Sequence, residues 1–454
     1  MLPKRLYIKS YGCQANVYDS GRMADVLKPL GYELAETPEH ADLVILNTCH
    51  IREKAEEKVY SDLGRIRPYK DDKMIVAVAG CMAQAEGAEI MRRAPYVDIV
   101  LGPQTYHRLP EMIARAHRSQ DKGKGPGCGI LDVEFPVESK FDYLPENHTH
   151  VGPSAFLAIQ EGCDKFCTFC VVPYTRGAEY SRPARAIMEE AARLCERGAK
   201  EITLVGQNVN AYHGEGPEGQ EWGLGKLMEY LATLKGLERI RYMTSHPRDM
   251  DEELMAAHRD IPQVMPFLHL PIQSGSDRIL EAMNRKHTTK HYLESLEKLY
   301  TYRPDMALSS DFIVGFPGET EEDFKKTLAL VEEVGYAQSY SFKYSPRPGT
   351  PGALMDNQIP DDVKAERLAR LQELLNVQHL AFHEASVGKT VSVLLDRQGK
   401  KDGQFLGKTP HFQSVYVKTT PDFLGECVDV LINKASANSL TGEIMVDQDE
   451  VKVV

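Results

Sequence analysis

The stretch Glu161-Gly-Cys-Asp-Lys-Phe-Cys-Thr-Phe-Cys170 carries three cysteines at the spacing C-x3-C-x2-C. An apolar run at 155–160 precedes it and a turn-rich segment at 173–183 follows, so the pattern predicts a loop at the carboxyl end of a strand. Three thiolates so close together converge on one metal centre. In a [4Fe-4S] cubane they leave one iron without a protein ligand, where chemistry can take place. A structural zinc knuckle with a distant fourth ligand is the alternative.

Length and composition describe an ordinary globular protein. The 454 residues are enough for two or three domains, with 42% apolar residues, 26% charged residues and one Trp. The longest apolar runs have the length of strands, and the N-terminus leads into a strand pattern without a signal-peptide core, so we expect a cytoplasmic protein. Nine unevenly clustered cysteines indicate metal binding in a reducing compartment rather than a secreted disulfide framework.

The net charge of −12 argues against nucleic-acid affinity over the whole surface. Charge is nevertheless segregated near the C-terminus. Residues 387–418 carry a net charge of +4, and residues 419–454 carry −5. The basic half of this segment is suited to face phosphates.

Residues 4–117 alternate short apolar runs with helical patterns, which predicts a doubly wound parallel sheet. Cys13, Cys49 and Cys81 each follow a predicted strand, and parallel strands bring their carboxyl ends to one edge, where open α/β sheets bind ligands. A helix N-terminus after each cysteine favours the thiolate. We therefore predict a second three-cysteine metal site, with three buried, inert cysteines as the alternative. The remaining cysteines, without such a pattern, are Cys128, Cys195 and Cys427.

The predicted strands of this region are 5–9, 43–46, 74–79 and 98–101, and its predicted helices are 19–30, 52–67 and 84–93. Residues 118–153 are rich in Gly, Pro and charge and are predicted to be a linker. Six β/α units follow, which predicts a partial TIM-like barrel with its function at the carboxyl ends of the strands. The six predicted strands are 155–160, 201–205, 239–243, 267–270, 307–314 and 339–344.

The C-terminal part begins with an amphipathic helix pattern at 360–384 and continues with short alternating strands. These predict a small antiparallel β-barrel, a fold that often binds oligonucleotides. A structural cap on the central barrel is the alternative. Phe405, Phe412 and Tyr416 are candidates for stacking on bases or for the barrel core.

Taken together, several motifs resemble the methylthiotransferase family of the radical S-adenosylmethionine (SAM) superfamily. They are Gly12-Cys13-Gln-Ala-Asn16 with Tyr18-Asp19-Ser20, Asn47-Thr-Cys49, Gly80-Cys81, Gln160-Glu-Gly-Cys163 to Cys170, and Val172-Pro-Tyr-Thr-Arg-Gly177. The resemblance covers almost the whole chain. It implies an N-terminal methylthiotransferase domain with an auxiliary cluster (1–117), the linker (118–153), a radical SAM barrel (154–359), a bridging helix (360–386) and an RNA-binding TRAM β-barrel (387–454).

Within the family, the chain resembles the branch that inserts a methylthio group at C2 of N6-isopentenyladenosine next to the anticodon of tRNA. The sister branch modifies an aspartate of a ribosomal protein and usually has proline after the first cysteine, where this chain has Gln14. Methylthiolation of such an aspartate is the second enzymatic hypothesis. An iron-sulfur electron-transfer protein, with fully ligated clusters, and a zinc-stabilised RNA-binding module are hypotheses from other classes.

The resemblance implies two [4Fe-4S] clusters and SAM as cofactors. Cys163, Cys167 and Cys170 would hold the cluster that reduces SAM to a 5′-deoxyadenosyl radical, and Cys13, Cys49 and Cys81 the auxiliary cluster that carries sulfur. Candidate SAM contacts are Phe169, Gly206, Gln207, Asn208, Ser245, Gln273 and Asp311. Candidate RNA contacts are Arg176, Lys389, Lys400, Lys401, Lys408 and Phe412. The implied partners are the tRNA anticodon arm, an electron donor and a sulfur source, and we expect a monomer without a membrane.

Overall fold

The computed structural model describes residues 3–50, 53–121, 129–146, 148 and 151–445. Cys128 and the chain end from residue 446, which entered the sequence predictions, lie outside these ranges. The chain divides into two compact units: residues 1–150, 160–166 and 170–180 form the first, and residues 151–159, 167–169 and 181–454 form the second. None of the described helices is both long enough and apolar enough to cross a membrane.

The first unit is built on a six-stranded, wholly parallel sheet with the strand order β2-β1-β3-β4-β5-β6. Strands β3 and β4 are buried along their whole length, as expected for a parallel sheet that is covered on both faces. The elements are β1 (Lys4–Ser10), α1 (Gln14–Leu27), β2 (Tyr32–Leu34), β3 (Leu43–Thr48), α2 (Glu53–Ile66), β4 (Ile75–Gly80), α3 (Cys81–Arg93), β5 (Ile99–Leu101), α4 (Leu109–Asp121) and β6 (Ile130–Asp132).

Successive side chains of β3 enter two different apolar cores. Leu43 and Ile45 pack with residues of α1 and α4, whereas Val44 and Leu46 pack with residues of α2 and α3. This alternation follows from the two-residue period of a strand. Helices therefore cover both faces of the sheet, and the predicted doubly wound fold is confirmed.

Two strands of this sheet escaped the sequence prediction. Both β2 and β6 have only three residues and lie at the edges of the sheet, so they are too short to show an alternating pattern. Strand β6 falls within residues 118–153, which were predicted to be a linker, and Lys140 in the same stretch is 2% exposed. Part of the predicted linker is therefore folded into the first unit.

The central region forms two three-stranded parallel sheets, β7-β10-β13 and β14-β15-β16. Six parallel strands alternating with helices confirm the predicted partial TIM-like barrel. Of the elements in this part of the chain, β8 and α5 belong to the first unit. The elements in chain order are β7 (Ser154–Ala158), β8 (Gln160–Glu161), α5 (Val172–Arg176), β9 (Tyr180–Ser181), α6 (Ala184–Glu196), β10 (Glu201–Val205), β11 (Gly214–Glu215), β12 (Glu221–Trp222), α7 (Leu224–Leu231), β13 (Arg239–Tyr242), α8 (Glu252–Asp260), β14 (Phe267–His269), α9 (Asp277–Ala282), α10 (Thr289–Tyr302), β15 (Ala307–Val314), α11 (Glu321–Val334), β16 (Gln338–Lys343) and α12 (Asp361–Glu384).

The C-terminal region is a closed barrel with the strand order β17-β18-β19-β21-β20. Its strands are β17 (Thr390–Gln398), β18 (Gln404–Lys408), β19 (Ser414–Lys418), β20 (Cys427–Ser436) and β21 (Ser439–Ile444). The small barrel was predicted as antiparallel, and one pair, β19 with β21, is parallel. An odd number of strands cannot close with antiparallel pairs alone, which explains the parallel pair. Phe405 lies in the barrel core and is 2% exposed.

Two arginines of β13 fix the C-terminal barrel to the central one. Arg241 donates to the carbonyl oxygen of Thr409 at 2.7 Å and pairs with Glu201 at 2.8 Å. Arg239 donates to the carbonyl oxygen of Lys408 at 2.7 Å. Arg241 and Glu201 are each 2% exposed, so their charges depend on one another for compensation.

Replacing Arg241 with Met is expected to lower the free energy of unfolding by about 3–5 kcal/mol, because Glu201 would become a buried, unpaired charge. Chemical denaturation of the full chain measures this loss. The matched control is Lys226→Met, which breaks an exposed ion pair with Glu229 and should leave stability nearly unchanged. Equal stabilities of the two variants would contradict the role given to Arg241.

Candidate active site

Three cysteines meet at one edge of the first unit's sheet. Cys49 and Cys81 directly follow β3 and β4, whose last residues, Thr48 and Gly80, are paired in register. Cys13 follows the adjacent strand β1 and is the N-cap residue of α1. The prediction that these strand ends bring the three cysteines to a common edge is supported by this register.

Two glycines allow the close approach of the chain segments at this edge. Gly12 has a φ of +113°, and a Cβ at this position would lie 2.2 Å from the Cβ and 3.1 Å from the Sγ of Cys49. Gly80 has a φ of +94°, and its Cβ would lie 2.4 Å from the carbonyl oxygen of Thr48. The glycine before Cys13 and the glycine before Cys81 are therefore required both for backbone conformation and for space.

The chemistry of the three thiols suits an iron-sulfur cluster. None is in a disulfide, Cys49 and Cys81 are buried, and Cys13 is half-buried. Burial raises the pKa of the Cys81 thiol, and the guanidinium of Arg176, whose Nε donates to Cys81 Sγ at 3.4 Å, opposes this rise. Three cysteine thiols are the donor set that would hold a [4Fe-4S] cluster with one iron free of protein ligands.

The loop at 161–170 carries the other three clustered cysteines, of which Cys163 and Cys170 fall in the first unit. Both are half-buried. The amide of Cys163 donates to the carbonyl oxygen of Gly177 at 3.2 Å. Gly162 has a φ of +76°, and a Cβ there would lie 1.9 Å from the carbonyl oxygen of Ala178. The start of the loop is thus held against the segment that follows it.

Cys167 lies in the second unit and is buried. Arg285 Nη1 donates to its Sγ at 3.6 Å. The neighbouring Phe169, a predicted SAM contact, packs in an apolar cluster with Phe316 and Tyr344. A guanidinium thus lies beside a cysteine sulfur here, as Arg176 does beside Cys81.

The other predicted SAM contacts form two pairs of neighbouring strand ends in the second unit. Gly206, Gln207 and Asn208 follow β10, and the amide of Val209 donates to the carbonyl oxygen of Thr244, just before Ser245, at 2.8 Å. In the other pair, the amide of Gln273 donates to the carbonyl oxygen of Asp311 at 3.0 Å.

Two of these residues show features of a ligand site. Ser245 is 6% exposed, and its hydroxyl has no hydrogen-bond partner among the described residues. Gln273 is buried with a φ of +78°, a conformation that costs energy for a residue with a side chain. Asp311 remains half-buried, with Oδ1 3.7 Å from His269 Nε2. Buried polar groups without partners suit a polar ligand.

Three of the predicted RNA contacts, Arg176, Lys408 and Phe412, make contacts within the protein. Arg176, the last residue of α5, is 4% exposed, and its guanidinium donates to the carboxylates of Glu161 and Asp19. Lys408 donates to Ser414 Oγ at 2.8 Å, and burial lowers its pKa to about 8. Phe412 packs against Phe267 with ring centroids 5.0 Å apart and the ring planes tilted by 32°. Lys408 and Phe412 thus belong to the junction of the two barrels. Lys389, Lys400 and Lys401 are exposed, as an RNA contact requires.

The sequence prediction missed four buried, mutually paired charges in the first unit: Asp19, Lys140, Glu161 and Arg176, here called the buried ion cluster. Asp19, Glu161 and Arg176 lie inside the motifs that surround the cysteines, so their proximity in sequence was a signal. Lys140 lies in the predicted linker, outside these motifs, and no sequence pattern indicated that it is buried.

Three family models match successive parts of the chain. Residues 5–102 match the uncharacterized protein family UPF0004, residues 157–331 the radical SAM superfamily and residues 384–445 the TRAM domain. The chain is 59% identical over 450 residues to a tRNA-2-methylthio-N(6)-dimethylallyladenosine synthase of Maricaulis maris (strain MCS10), covering 97% of both chains. The chain belongs to the radical SAM methylthiotransferase family. Enzymes of this family transfer sulfur-containing groups and use SAM and [4Fe-4S] clusters.

Solved structures show the same fold at low sequence identity. A radical SAM methyltransferase, TsrM, from Kitasatospora setae matches with a TM-score of 0.54 and 13% identity, covering 78% of this chain and 74% of that one. The cobalamin-dependent SAM radical enzyme OxsB matches with a TM-score of 0.53 and 14% identity, covering 81% of this chain and 56% of that one. These similarities support the fold of the methylthiotransferase chain.

Replacing Gly12 with Ala is expected to reduce the iron bound after anaerobic reconstitution, because the new Cβ would displace Cys49. Iron analysis of the purified variant measures the loss. Gly31→Ala is the matched control: Gly31 also has a positive φ, +82°, but a Cβ there would meet no atom within 4 Å. The same iron content in both variants would show that the contact with Cys49 does not support a metal site.

Proposed function

We propose that this protein inserts a methylthio group at C2 of N6-isopentenyladenosine next to the anticodon of tRNA. The observation that carries the proposal is the 59% identity, across 97% of both chains, to a synthase named for that product. The match includes the sheet domain with its three cysteines, the radical SAM region and the TRAM region. Because tRNA would be the substrate, the same proposal locates the enzyme in the cytoplasm.

The two sets of cysteines have separate roles in this proposal. Cys163, Cys167 and Cys170 would hold one [4Fe-4S] cluster, and Cys13, Cys49 and Cys81 would hold the auxiliary one. When bound, the first cluster and SAM would supply a carbon radical able to remove the C2 hydrogen, and the auxiliary cluster would supply sulfur that receives its methyl group from another SAM. A radical is needed because C2 of adenine is an unactivated aromatic carbon. An electron donor and a sulfur source complete the reaction.

The strand-end residues of the central barrel would bind SAM. The unpartnered hydroxyl of Ser245 is suited to a polar group of SAM, and the carboxylate of Asp311 is suited to a hydroxyl or ammonium group. Phe169, within the cysteine loop, packs in an apolar cluster and would present an apolar surface to SAM. These residues bind and orient SAM, and none of them is required to transfer a proton.

The target adenosine has to leave its stack before any side chain can reach C2, so we propose that it is extruded from the anticodon loop. The exposed lysines of the C-terminal barrel would bind the phosphates of the anticodon arm. Lys400 and Lys401 lie in the turn between β17 and β18, and Lys418 lies beside that turn because it pairs with Gln404 at the start of β18. Three positive charges at one end of the barrel suit a phosphate backbone.

The proposal is tested with anaerobically reconstituted protein, SAM, a strong reductant and tRNA that carries N6-isopentenyladenosine. Mass spectrometry of the digested nucleosides should reveal the methylthio product. Replacing Cys163, Cys167 and Cys170 with Ala should abolish both 5′-deoxyadenosine and product. Replacing Cys13, Cys49 and Cys81 with Ala should stop product while 5′-deoxyadenosine still forms.

Product from the second triple variant would contradict the auxiliary role of the strand-end cysteines. If 5′-deoxyadenosine forms without nucleoside product in the wild type, tRNA is not the substrate, and the aspartate of a ribosomal protein becomes the substrate to test. The two outcomes separate an error about the site from an error about the substrate.

Replacing both Lys400 and Lys401 with Ala should weaken tRNA binding and reduce the slope of log K against log salt by about 1–2, because each phosphate contact contributes about 0.9. Titrations at several salt concentrations measure the slope. The control replaces Lys325 and Lys326, an equally exposed pair on α11. A slope that falls equally in the control would assign the effect to overall charge rather than to the barrel.

A further inference from the structure

The buried ion cluster holds one guanidinium in a fixed position. Arg176 Nη2 donates to Asp19 at 2.6 Å, and Nη1 donates to Glu161 at 2.7 Å. Lys140 Nζ donates to Glu161 at 2.7 Å and lies 3.5 Å from Asp19. The four side chains are between 1% and 6% exposed. Two cations and two anions alternate, so the cluster has no net charge of its own.

The third nitrogen of the guanidinium donates to a sulfur. Arg176 Nε lies 3.4 Å from Cys81 Sγ, so each of the three nitrogens has an acceptor. The backbone is held as well, because Gln104 Nε2 donates to the carbonyl oxygen of Arg176 at 2.7 Å. Rotating the Arg176 side chain or displacing its backbone would break these contacts.

Fold stability alone does not account for this arrangement. Removing four charges from water costs free energy, and well-packed apolar side chains of similar volume are often as stabilising as a buried ion pair. An apolar side chain cannot, however, donate to the sulfur of Cys81. Hydrogen bonds to ligand sulfurs and nearby positive charge are among the factors that set the reduction potential of an iron-sulfur cluster, both raising it.

We propose that Arg176 is a positioning residue of the auxiliary site: it donates to the ligand sulfur of Cys81 and raises the reduction potential of the cluster held there. Asp19, Glu161 and Lys140 serve to fix the guanidinium in this orientation. The inference rests on the proposed function, because it requires a cluster at Cys13, Cys49 and Cys81.

The test uses the full chain with Cys163, Cys167 and Cys170 replaced by Ala, so that only the auxiliary cluster is present. Arg176→Lys keeps the positive charge but replaces the planar guanidinium, whose three nitrogens reach three acceptors, with a single nitrogen, and Arg176→Met removes both the charge and the donors. A potentiometric titration followed by electron paramagnetic resonance should show a shift to lower potential in Arg176→Lys and a larger shift in Arg176→Met.

The matched control is Arg182→Lys. Arg182 is also buried and pairs with Glu190 at 2.7 Å, but this pair lies in the second unit. The potential of the auxiliary cluster should not change in this variant. A shift of the same size as in Arg176→Lys would overturn the proposal, because it would show that any buried pair affects the cluster equally.

A second readout does not depend on the Met variant folding. Resonance Raman bands of the iron–cysteine bonds should be sensitive to deuterium exchange in the background protein, and Arg176→Lys should lose part of this sensitivity. An unchanged potential and unchanged Raman bands in a cluster-bearing Arg176→Lys protein would overturn the inference alone. A background protein that binds no cluster would instead overturn the proposed auxiliary site, and the inference with it.

Discussion

The register between the parallel strands β1, β3 and β4 is the constraint on which the candidate site of the first unit depends. Thr48 pairs with Gly80, so the cysteine after each of these residues leaves the sheet at the same level. Both strands are buried on both faces, and a slip of one residue would move each side chain into the opposite core. Hydrophobic packing in two cores therefore fixes the positions of the thiols.

The same edge of the sheet receives a segment that is distant in sequence. Residues 170–180 belong to the first unit, and Arg176 within them contacts Asp19 of α1 and Cys81 of α3. The buried ion cluster has no net charge, but it places the guanidinium of Arg176 directly beside the sulfur of Cys81. Desolvation opposes charge at this site, and the paired carboxylates allow the cation to remain there. Hydrophobic packing of the strands fixes the positions of the sulfur atoms, and the charged side chains of the buried ion cluster set the electrostatic potential at Cys81.

Much of this architecture was predictable because it is encoded in local patterns. Strand-length apolar runs located β3 and β4, and the cysteines after them indicated the shared edge. Side-chain contacts between distant segments were not predictable in this way. Arg176 and Lys408 are charged residues in polar segments, which suggested exposure. Arg176 is nevertheless buried by contacts with the distant residues Asp19 and Cys81, and Lys408 is half-buried at the junction of the two barrels. The strand β6 and the buried Lys140 lie in a Gly- and Pro-rich stretch that was predicted to be a linker, because their contacts are with residues distant in sequence.

The central claim is that the chain builds two separate three-cysteine cluster sites, one in the loop and one at the sheet edge. Iron and sulfide analysis combined with Mössbauer spectroscopy of reconstituted protein tests it most directly. The account predicts two [4Fe-4S] clusters per chain in the wild type and one in each triple-alanine variant, with different spectra for the two variants. A single cluster in the wild type that is lost in both variants would contradict it.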